Sequence, residues 1–355
     1  MSIWMTGINH KTSSVGIREK FYLGETEQRL LLNGLKNDPA VIEAIVLSTC
    51  NRTEIYANLI TESPDSLLKQ LFRIKNLPQT SEALSYFYSY SQEEAVRQFF
   101  RVSTGLDSII LGEKQILGQV KNAIEVSRQE GMLNKEFNLL SRLAIRAGKL
   151  AQSSTQIGNG GSSVCWAAVK MAESLLGNLG GKNILIIGAG KMGDLTVKQF
   201  QDKNIGQFFI INRTQEKAEI LAQQVGATAV SFGDIKDVLE IVDICICCSG
   251  CPHYLIEKSF VEKIMLSRAQ RPLICIDISV PRNIEPAVQE IPGVNLISID
   301  DLDKVVGENL SVRQAAVSQV EEIIDIKIDE FYAKLSKNAY GVTENIPREM
   351  KYAAY

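Results

Sequence analysis

The sequence predicts an α/β protein, with a doubly wound parallel sheet placed between an α+β domain ahead of it and one long helix behind it. Three observations carry this. Short continuous apolar runs alternate with helical stretches from residue 183 to about 299. The first of these runs empties into a glycine-rich turn. Residues 302 to about 335 hold apolar side chains at helical spacing, with one early glycine. The chain has 355 residues, 45% of them apolar, which is enough for two or three cores. A formal net charge of -3 gives no general attraction for a polyanion, so any nucleic acid must be held by a local basic patch. Seven cysteines without disulfide-like spacing fit a reducing compartment. The first residues lack a basic and apolar leader, and no apolar run reaches the length of a membrane span, so a cytoplasmic protein is expected, with no membrane partner.

The elements follow in order. Ile3 to Ile8 and Ala44 to Leu47 read as strands, and Glu54 to Leu59 as the return strand after a turn. From Glu93 the period becomes helical, through Ala95, Phe99, Val102 and Leu106, then Ile116, Val120 and Ile124. The cluster Gly158 to Gly161 marks a boundary, and a helix over Ser163 to Leu176 leads into the sheet. Its strands are Asn183–Ile187, Phe208–Ile211, Asp243–Cys248 and Leu273–Ile278, apolar throughout, as strands covered by helices on both faces must be. Val306, Leu310, Val317, Ile324, Ile328 and Phe331 define the last helix, and the polar tail from Ser336 reads as a frayed end or linker. The expected division is 1–156 for a catalytic and substrate domain, 157–299 for a dinucleotide domain, and 300–355 for the long helix and tail.

NILIIGAGKMG sets Gly188, Gly190 and Gly193 between a buried strand and a helix, the G-x-G-x-x-G spacing of a Rossmann-type fold in its proper context. The first glycine allows a tight turn, the second lets backbone approach a pyrophosphate, and the third lets helix pack on strand. The helix N-terminus then offers partial positive charge to the phosphates. Gly188, Ala189, Gly190, Lys191, Met192 and Gly193 are therefore the expected cofactor loop. The next strand ends in Asn212, Arg213 and Thr214, with no acidic residue to meet a free ribose 2'-hydroxyl. A cation with hydrogen-bonding neighbours suits the 2'-phosphate of NADPH instead, unless Arg213 is simply a solvated loop residue.

Ser-Thr-Cys-Asn-Arg, residues 48–52, falls in the turn between two strands. A thiol there is positioned yet accessible, and Arg52 beside Cys50 would favour the thiolate; the other reading is a small buried hydrophobe. Cys245, Cys247, Cys248 and Cys251 lack a well-spaced second ligand pair and read as a core strand rather than a metal site, with His253 as a loop residue.

Five segments in order, GINHKTSSVGIREK, LSTCNRTEIY, GLDSIILGEKQILGQVK, GAGKMG with INRT, and IDISVPRNIEP, resemble the glutamyl-tRNA reductase family. The second and third are the specific ones. The resemblance implies an N-terminal catalytic domain, an NADP-binding domain and a long spinal helix. It also implies NADPH-dependent reduction of glutamyl-tRNA to glutamate-1-semialdehyde through a thioester on Cys50, the first step of tetrapyrrole biosynthesis by the C5 route. Substrate contacts then fall on Thr49, Asn51, Arg52, Ser108, Glu113, Lys114, Gln115 and Gln119. Arg52 suits the substrate carboxylate by its fork, or else forms a structural ion pair. The downstream glutamate-1-semialdehyde aminotransferase is a candidate partner.

The chain departs from the family's pattern in four places. Gln98 stands where the family carries a histidine, and an amide cannot relay a proton. His10, in the first segment, is expected to orient loop backbone. Lys114 replaces a proline, and Gln152, Ser153 and Ser154 replace an arginine and a Thr-Glu-Thr run. The chain stops about twenty residues past the spinal helix, without a full dimerisation domain, which argues against the family's homodimer. These departures leave two alternatives, a catalytically impaired relative with a regulatory or ligand-binding role, and a reductase of another acyl donor.

Overall fold

The computed structural model describes residues 2–158, 163–201, 203–269 and 271–302, and a last helix with backbone over 310–339 and side chains over 316–336. Most of the expected boundary cluster at Gly158 to Gly161, and the tail from 340 on, lie outside these residues.

The first sheet consists of β1 (Ser2–Asn9), β2 (Val41–Ser48), β3 (Arg52–Leu59) and β4 (Tyr88–Ser91), in the order β2-β3-β1-β4. Every pairing is antiparallel. Helices cover both faces, so its strands are apolar on both. Period two sends Ile45, Leu47 and Tyr56 to one face and Ala44, Val46, Ile55 and Ala57 to the other. The second face packs on α1 (Val15–Phe21), α2 (Glu25–Lys36) and α3 (Asp65–Ile74). The short α4 (Ser81–Ser85) precedes β4. The first face packs on α5 (Gln92–Thr104), α6 (Gln115–Gln129) and α7 (Lys135–Ser154).

A helix α8 (Val164–Leu176) leads to the second sheet, whose strands are β5 (Ile184–Ile187), β6 (Phe208–Ile211), β7 (Thr228–Val230), β8 (Ile244–Cys247), β9 (Leu273–Asp277) and β10 (Val294–Ser298). Their order is β10-β9-β8-β5-β6-β7, and all pairs are parallel. Helices α9 (Lys191–Lys198), α10 (Gln215–Val225), α11 (Ile235–Ile241) and α12 (Lys258–Ser267) complete the doubly wound layers. Strand order reverses at β5, between β6 and β8, which opens a crevice at the carboxyl ends of these strands.

The long helix α13 (Leu310–Ala339) lies on the first core and not on the second. Ala316, Val320, Ile324, Ile328 and Phe331 recur every three or four residues and are buried against α5 and α7. Asp325 pairs with Arg97 at 2.5 Å, and Glu321 pairs with Arg101. At the edges, Ile157 packs in the first core and Leu302 in the second.

Candidate functional site

Thr49, Cys50 and Asn51 form the turn between β2 and β3, and the turn is held by its own residues. The Thr49 N–H donates to the Arg52 carbonyl (2.8 Å), and the Asn51 N–H donates to Thr49 Oγ1 (3.2 Å). From the end of β1, the His10 N–H donates to the Asn51 carbonyl (3.0 Å). Arg18 of α1 donates from Nε to the Cys50 carbonyl (3.4 Å). Cys50 is half-buried and packs against the core of the second sheet, beside residues such as Val15, Ile110 and Val164. The turn thus presents its sulfur at the meeting of the two halves.

Behind the turn lies a buried polar network. Arg52 is 1% exposed; its Nη1 donates to Glu54 Oε1 (2.8 Å) and Asp107 Oδ2 (2.6 Å), and its Nη2 to the Asp107 carbonyl. Glu54, fully buried, also accepts from Tyr56 (2.6 Å), Tyr88 (2.5 Å) and Gln98 Nε2 (3.2 Å). Lys11 closes on Asp107, so two cations face two carboxylates. Gln98, expected at the position of a family histidine, donates to both Glu54 and Asp107 (3.0 Å). It satisfies both acids without adding charge, which a protonated imidazole would do. Although desolvation opposes it, the charges of Arg52 and Lys11 hold the Asp107 carboxyl well below the usual range.

This network corrects the expectation that Arg52 leaves Cys50 partly ionised. The Arg52 charge is already matched by Glu54 and Asp107. Burial, and then the charge of Glu113, push the Cys50 thiol up to about 12, so the resting group is the thiol. Both terminal nitrogens of Arg52 are engaged, and only its Nε is left to meet a substrate. Three buried polar atoms around the turn have no partner among the described residues: Arg52 Nε, Asn51 Oδ1 and His10 Nδ1. Buried donors and acceptors are seldom left so, and a polar substrate would supply the missing partners.

Glu113 ends the loop before α6. It is 6% exposed and accepts the N–H of Val164 at the start of α8; burial pushes its carboxyl up to about 7. Gln115 reaches the Cys165 thiol and so faces the second half, while Gln119 lies one turn further along α6, half-buried. Lys114 is exposed. Ser108 lines a cavity of about 860 Å³ with His10, Lys11, Ser13 and Asp300. His10 in this wall is kept neutral, its imidazole pushed down to about 4 by burial and by Arg52.

Two features of the site escaped sequence reasoning. One is the pair of buried Arg18 with half-buried Asp300 (2.5 Å), which ties α1 to the segment after β10; the Val15 N–H also donates to Asp300 (2.7 Å). The other is the pair of acids that hold Arg52. Glu54 and Asp107 lay inside the matched segments LSTCNRTEIY and GLDSIILGEKQILGQVK, but no local spacing links Arg18 to a residue 282 positions away.

The glycine loop connects β5 to α9 as expected. Gly188 has φ +118°, which only glycine adopts freely, and a Cβ on Gly193 would lie 1.9 Å from the Gly188 carbonyl. Around Gly190 a Cβ would meet nothing within 4 Å. This open side leaves room for the close approach of a diphosphate. Met192 and Ala189 pack on the second core, and Lys191 is exposed, its ammonium beside Gly118 of α6. A cavity of about 530 Å³ runs past Gly188, Asn212, Arg213, Ser249 and Cys251, and these residues fit a dinucleotide. Asn212 is not free for it, because its Oδ1 accepts the Ala189 N–H (3.1 Å) and its Nδ2 donates to the Thr214 carbonyl (2.9 Å). Arg213 and Thr214 are exposed at the rim and remain for a 2'-phosphate. Cys245 and Cys247 are buried in β8, whereas Cys251 lines the cavity, 3.3 Å from His253 Nε2. No helix among the described residues is long and apolar enough to cross a membrane.

A thiol turn on one α+β unit, packed against the core of a doubly wound sheet that carries a dinucleotide crevice, defines a two-part pyridine-nucleotide oxidoreductase. Residues 6–155 match the family described as glutamyl-tRNAGlu reductase, N-terminal domain, and residues 170–305 match shikimate / quinate 5-dehydrogenase. The chain is 38% identical over 348 residues to glutamyl-tRNA reductase of Bacillus pumilus, covering 96% of this chain and 75% of that one. It is 39% identical to the enzyme of Heliobacterium mobile over 93% of this chain and 75% of the relative. The solved glutamyl-tRNA reductase from Methanopyrus kandleri aligns with a TM-score of 0.52 and 31% identity, covering 94% of this chain and 80% of that one. The chain belongs to the glutamyl-tRNA reductase family.

Proposed function

We propose that Cys50 is the nucleophile of an NADPH-dependent reduction of glutamyl-tRNA to glutamate-1-semialdehyde, the entry compound of tetrapyrrole synthesis. The reaction and its cofactor follow from membership of the family; the assignment of residues rests on one observation, that the Cys50 turn combines a protonated thiol with three buried, unpartnered polar atoms at the interface with the dinucleotide half. The Cys50 thiol gives its proton to Glu113 as sulfur bonds to the glutamyl carbonyl carbon. The ester C–O bond then breaks, and the terminal tRNA hydroxyl takes that proton as it leaves. Arg52 Nε and Asn51 Oδ1 orient the glutamyl group, with Thr49, Ser108, Lys114, Gln115 and Gln119 as further contacts. NADPH, when bound, supplies the hydride that reduces the thioester carbon. Gly188 to Gly193 hold its diphosphate, and Arg213 and Thr214 its 2'-phosphate; Asn212 shapes the loop from behind. The resulting Cys50 hemithioacetal, as its alkoxide, collapses to aldehyde and thiolate, and Glu113 passes a proton taken from solvent to the sulfur to restore the thiol.

Residues 1–156 are assigned to the catalytic unit, 157–299 to cofactor binding and 300–355 to the long helix and tail. We place the protein in the cytoplasm, where its seven free thiols stay reduced. Glutamate-1-semialdehyde aminotransferase, which consumes the aldehyde, is proposed as a partner.

Mass spectrometry of the protein mixed with glutamyl-tRNA in the absence of NADPH tests the assignment. A glutamyl adduct on Cys50, absent from Cys50→Ser, is expected. An adduct on another residue, or full turnover by Cys50→Ser, would overturn it.

A further inference from the structure

Among the described residues, about half of the cations have an acidic partner. Arg29 pairs with Glu25 and Glu130, Arg97 with Glu93 and Asp325, Lys198 with Asp194, Lys258 with Glu290, and Lys327 and Lys334 with Glu330. Helix α7 gathers four that have none along one face. Lys135, Arg142, Arg146 and Lys149 are all exposed, and none has an acidic partner among the described residues. At 100° per residue these four fall within roughly 60° of one another around the helix axis, and they extend over about 21 Å of its length. Asn138 and Ser153, also exposed, complete the stripe. The helix's one carboxylate, Glu136, is turned away to Asn58 (2.8 Å). In a chain with a net charge of -3, such a row of open cations is a local anion-binding surface.

Its direction relates it to the reaction. Past the end of α7 the chain packs the Ile157 carbonyl so close to Gly112 that a Cβ there would lie 1.8 Å from it. Gly112 is followed at once by Glu113 and Lys114. The exposed Lys114 lies against Gly158, so the line of cations runs from Lys135 along α7 to the loop beside the Cys50 site.

We propose that the exposed face of α7, through Lys135, Arg142, Arg146 and Lys149, binds the phosphate backbone of the substrate tRNA and sets the register in which the acylated end meets Cys50. The proposal rests on glutamyl-tRNA being the substrate. Cations that rise about 4.5 to 10.5 Å from one to the next along a helix suit backbone phosphates, which position a nucleic acid without reading its bases.

The test compares two substrates in single turnover across a salt series: glutamyl-tRNA, and glutamyl-adenosine, which keeps the ester and lacks the polyphosphate. For R142E/R146E/K149E in the full chain, kcat/KM on glutamyl-tRNA is expected to fall 10- to 100-fold. Its logarithmic salt slope should shrink by roughly two to three, about one for each lost phosphate contact. Activity on glutamyl-adenosine should stay within twofold of wild type, which also reports correct folding. The neutral variant R142Q/R146Q/K149Q should fall between. An unchanged salt slope, or equal losses on both substrates, would overturn the proposal. So would retained tRNA affinity alongside lost binding to an acidic protein or to phosphatidylserine vesicles. Failure of the substrate assignment itself looks different, because wild type would then turn over neither substrate.

Discussion

Cys50 and Glu113 form a pair whose proton affinities have been moved by burial. The thiol is costly to ionise because the low-dielectric surroundings and the Glu113 charge both oppose a thiolate. The carboxyl has been raised from 4.5 to about 7, because burial outweighs the lowering by Arg52 and by the Val164 N–H. A base with this value accepts a proton near neutrality and returns it readily. Glutamyl transfer to Cys50 should therefore rise with pH through an inflection near 7, since the base works ionised. Glu113→Gln should remove that inflection and slow transfer by about 100-fold, with NADPH affinity unchanged. Single-turnover trapping of the thioester between pH 5.5 and 8.5 checks this; an unaltered inflection in the variant would exclude Glu113 as the acceptor. The same shift has a consequence for stability. A carboxyl with a raised folded-state pKa binds its proton more tightly when folded, so stability is lost as pH rises from 4.5 through about 7. Asp277, raised from 3.8 to about 6 by burial, acts in the same direction, and so the Gln variant should flatten this slope without abolishing it.

At the scale of elements, the glycine loop shows how local sequence fixes local structure. A Cβ on Gly193 would strike the Gly188 carbonyl, so Gly193→Ala must move either the turn or the start of α9. NADPH affinity should drop at least tenfold by fluorescence titration, while glutamyl transfer to Cys50 continues at the wild-type rate; loss of both activities would mean that the change is not confined to the cofactor loop. This loop was legible in the sequence because strand, glycines and helix are contiguous. The strands β5, β6, β8 and β9 were legible because burial on both faces makes them almost uniformly apolar, and β1, β2 and β3 because their apolar runs bracket the turn. β4, β7 and β10 were not. YSYS and TAV are short and largely exposed, and VNLIS is buried at only two of its five positions, so none carries a strong period. α2 and α3 went unread although Leu31, Leu32 and Leu35, and Leu67, Leu68, Leu71 and Phe72, recur at helical spacing; α1 has only seven residues, too few for a clear period. The Cys50 turn could be located from its segment, but its ionisation could not. That depends on the burial of the turn between the two halves and then on the charge of Glu113, which a distant loop brings beside it.

For the molecule as a whole, the chemistry proposed at Cys50 needs the dinucleotide half held against the turn, and α1 supplies charged contacts between them in addition to those of Glu113 and Gln115. In α1, Arg18 binds the Cys50 carbonyl and pairs with Asp300, while Glu19 next to it takes a two-pronged contact from Arg282 (3.0 and 2.6 Å) and the Arg282 backbone N–H (3.1 Å). Asp300 follows β10 and Arg282 follows β9, so both partners belong to the second half. Forming the thioester uses groups of the first half, apart from the Val164 N–H that Glu113 accepts, and hydride transfer requires both halves in register. Weakening the clamp should therefore separate the two steps. Glu19→Gln and Arg282→Ala each remove one charge-assisted contact of about 1.4 kcal/mol, a tenfold shift in the engaged population. In each variant the thioester should form at the wild-type rate and accumulate, with hydride transfer roughly tenfold slower. The double variant should be little worse than either single one, because both remove the same interaction. Rapid-quench measurement of the Cys50 adduct beside NADPH oxidation resolves the steps. A parallel fall in both rates would show instead that α1 shapes the catalytic turn and does not join the halves.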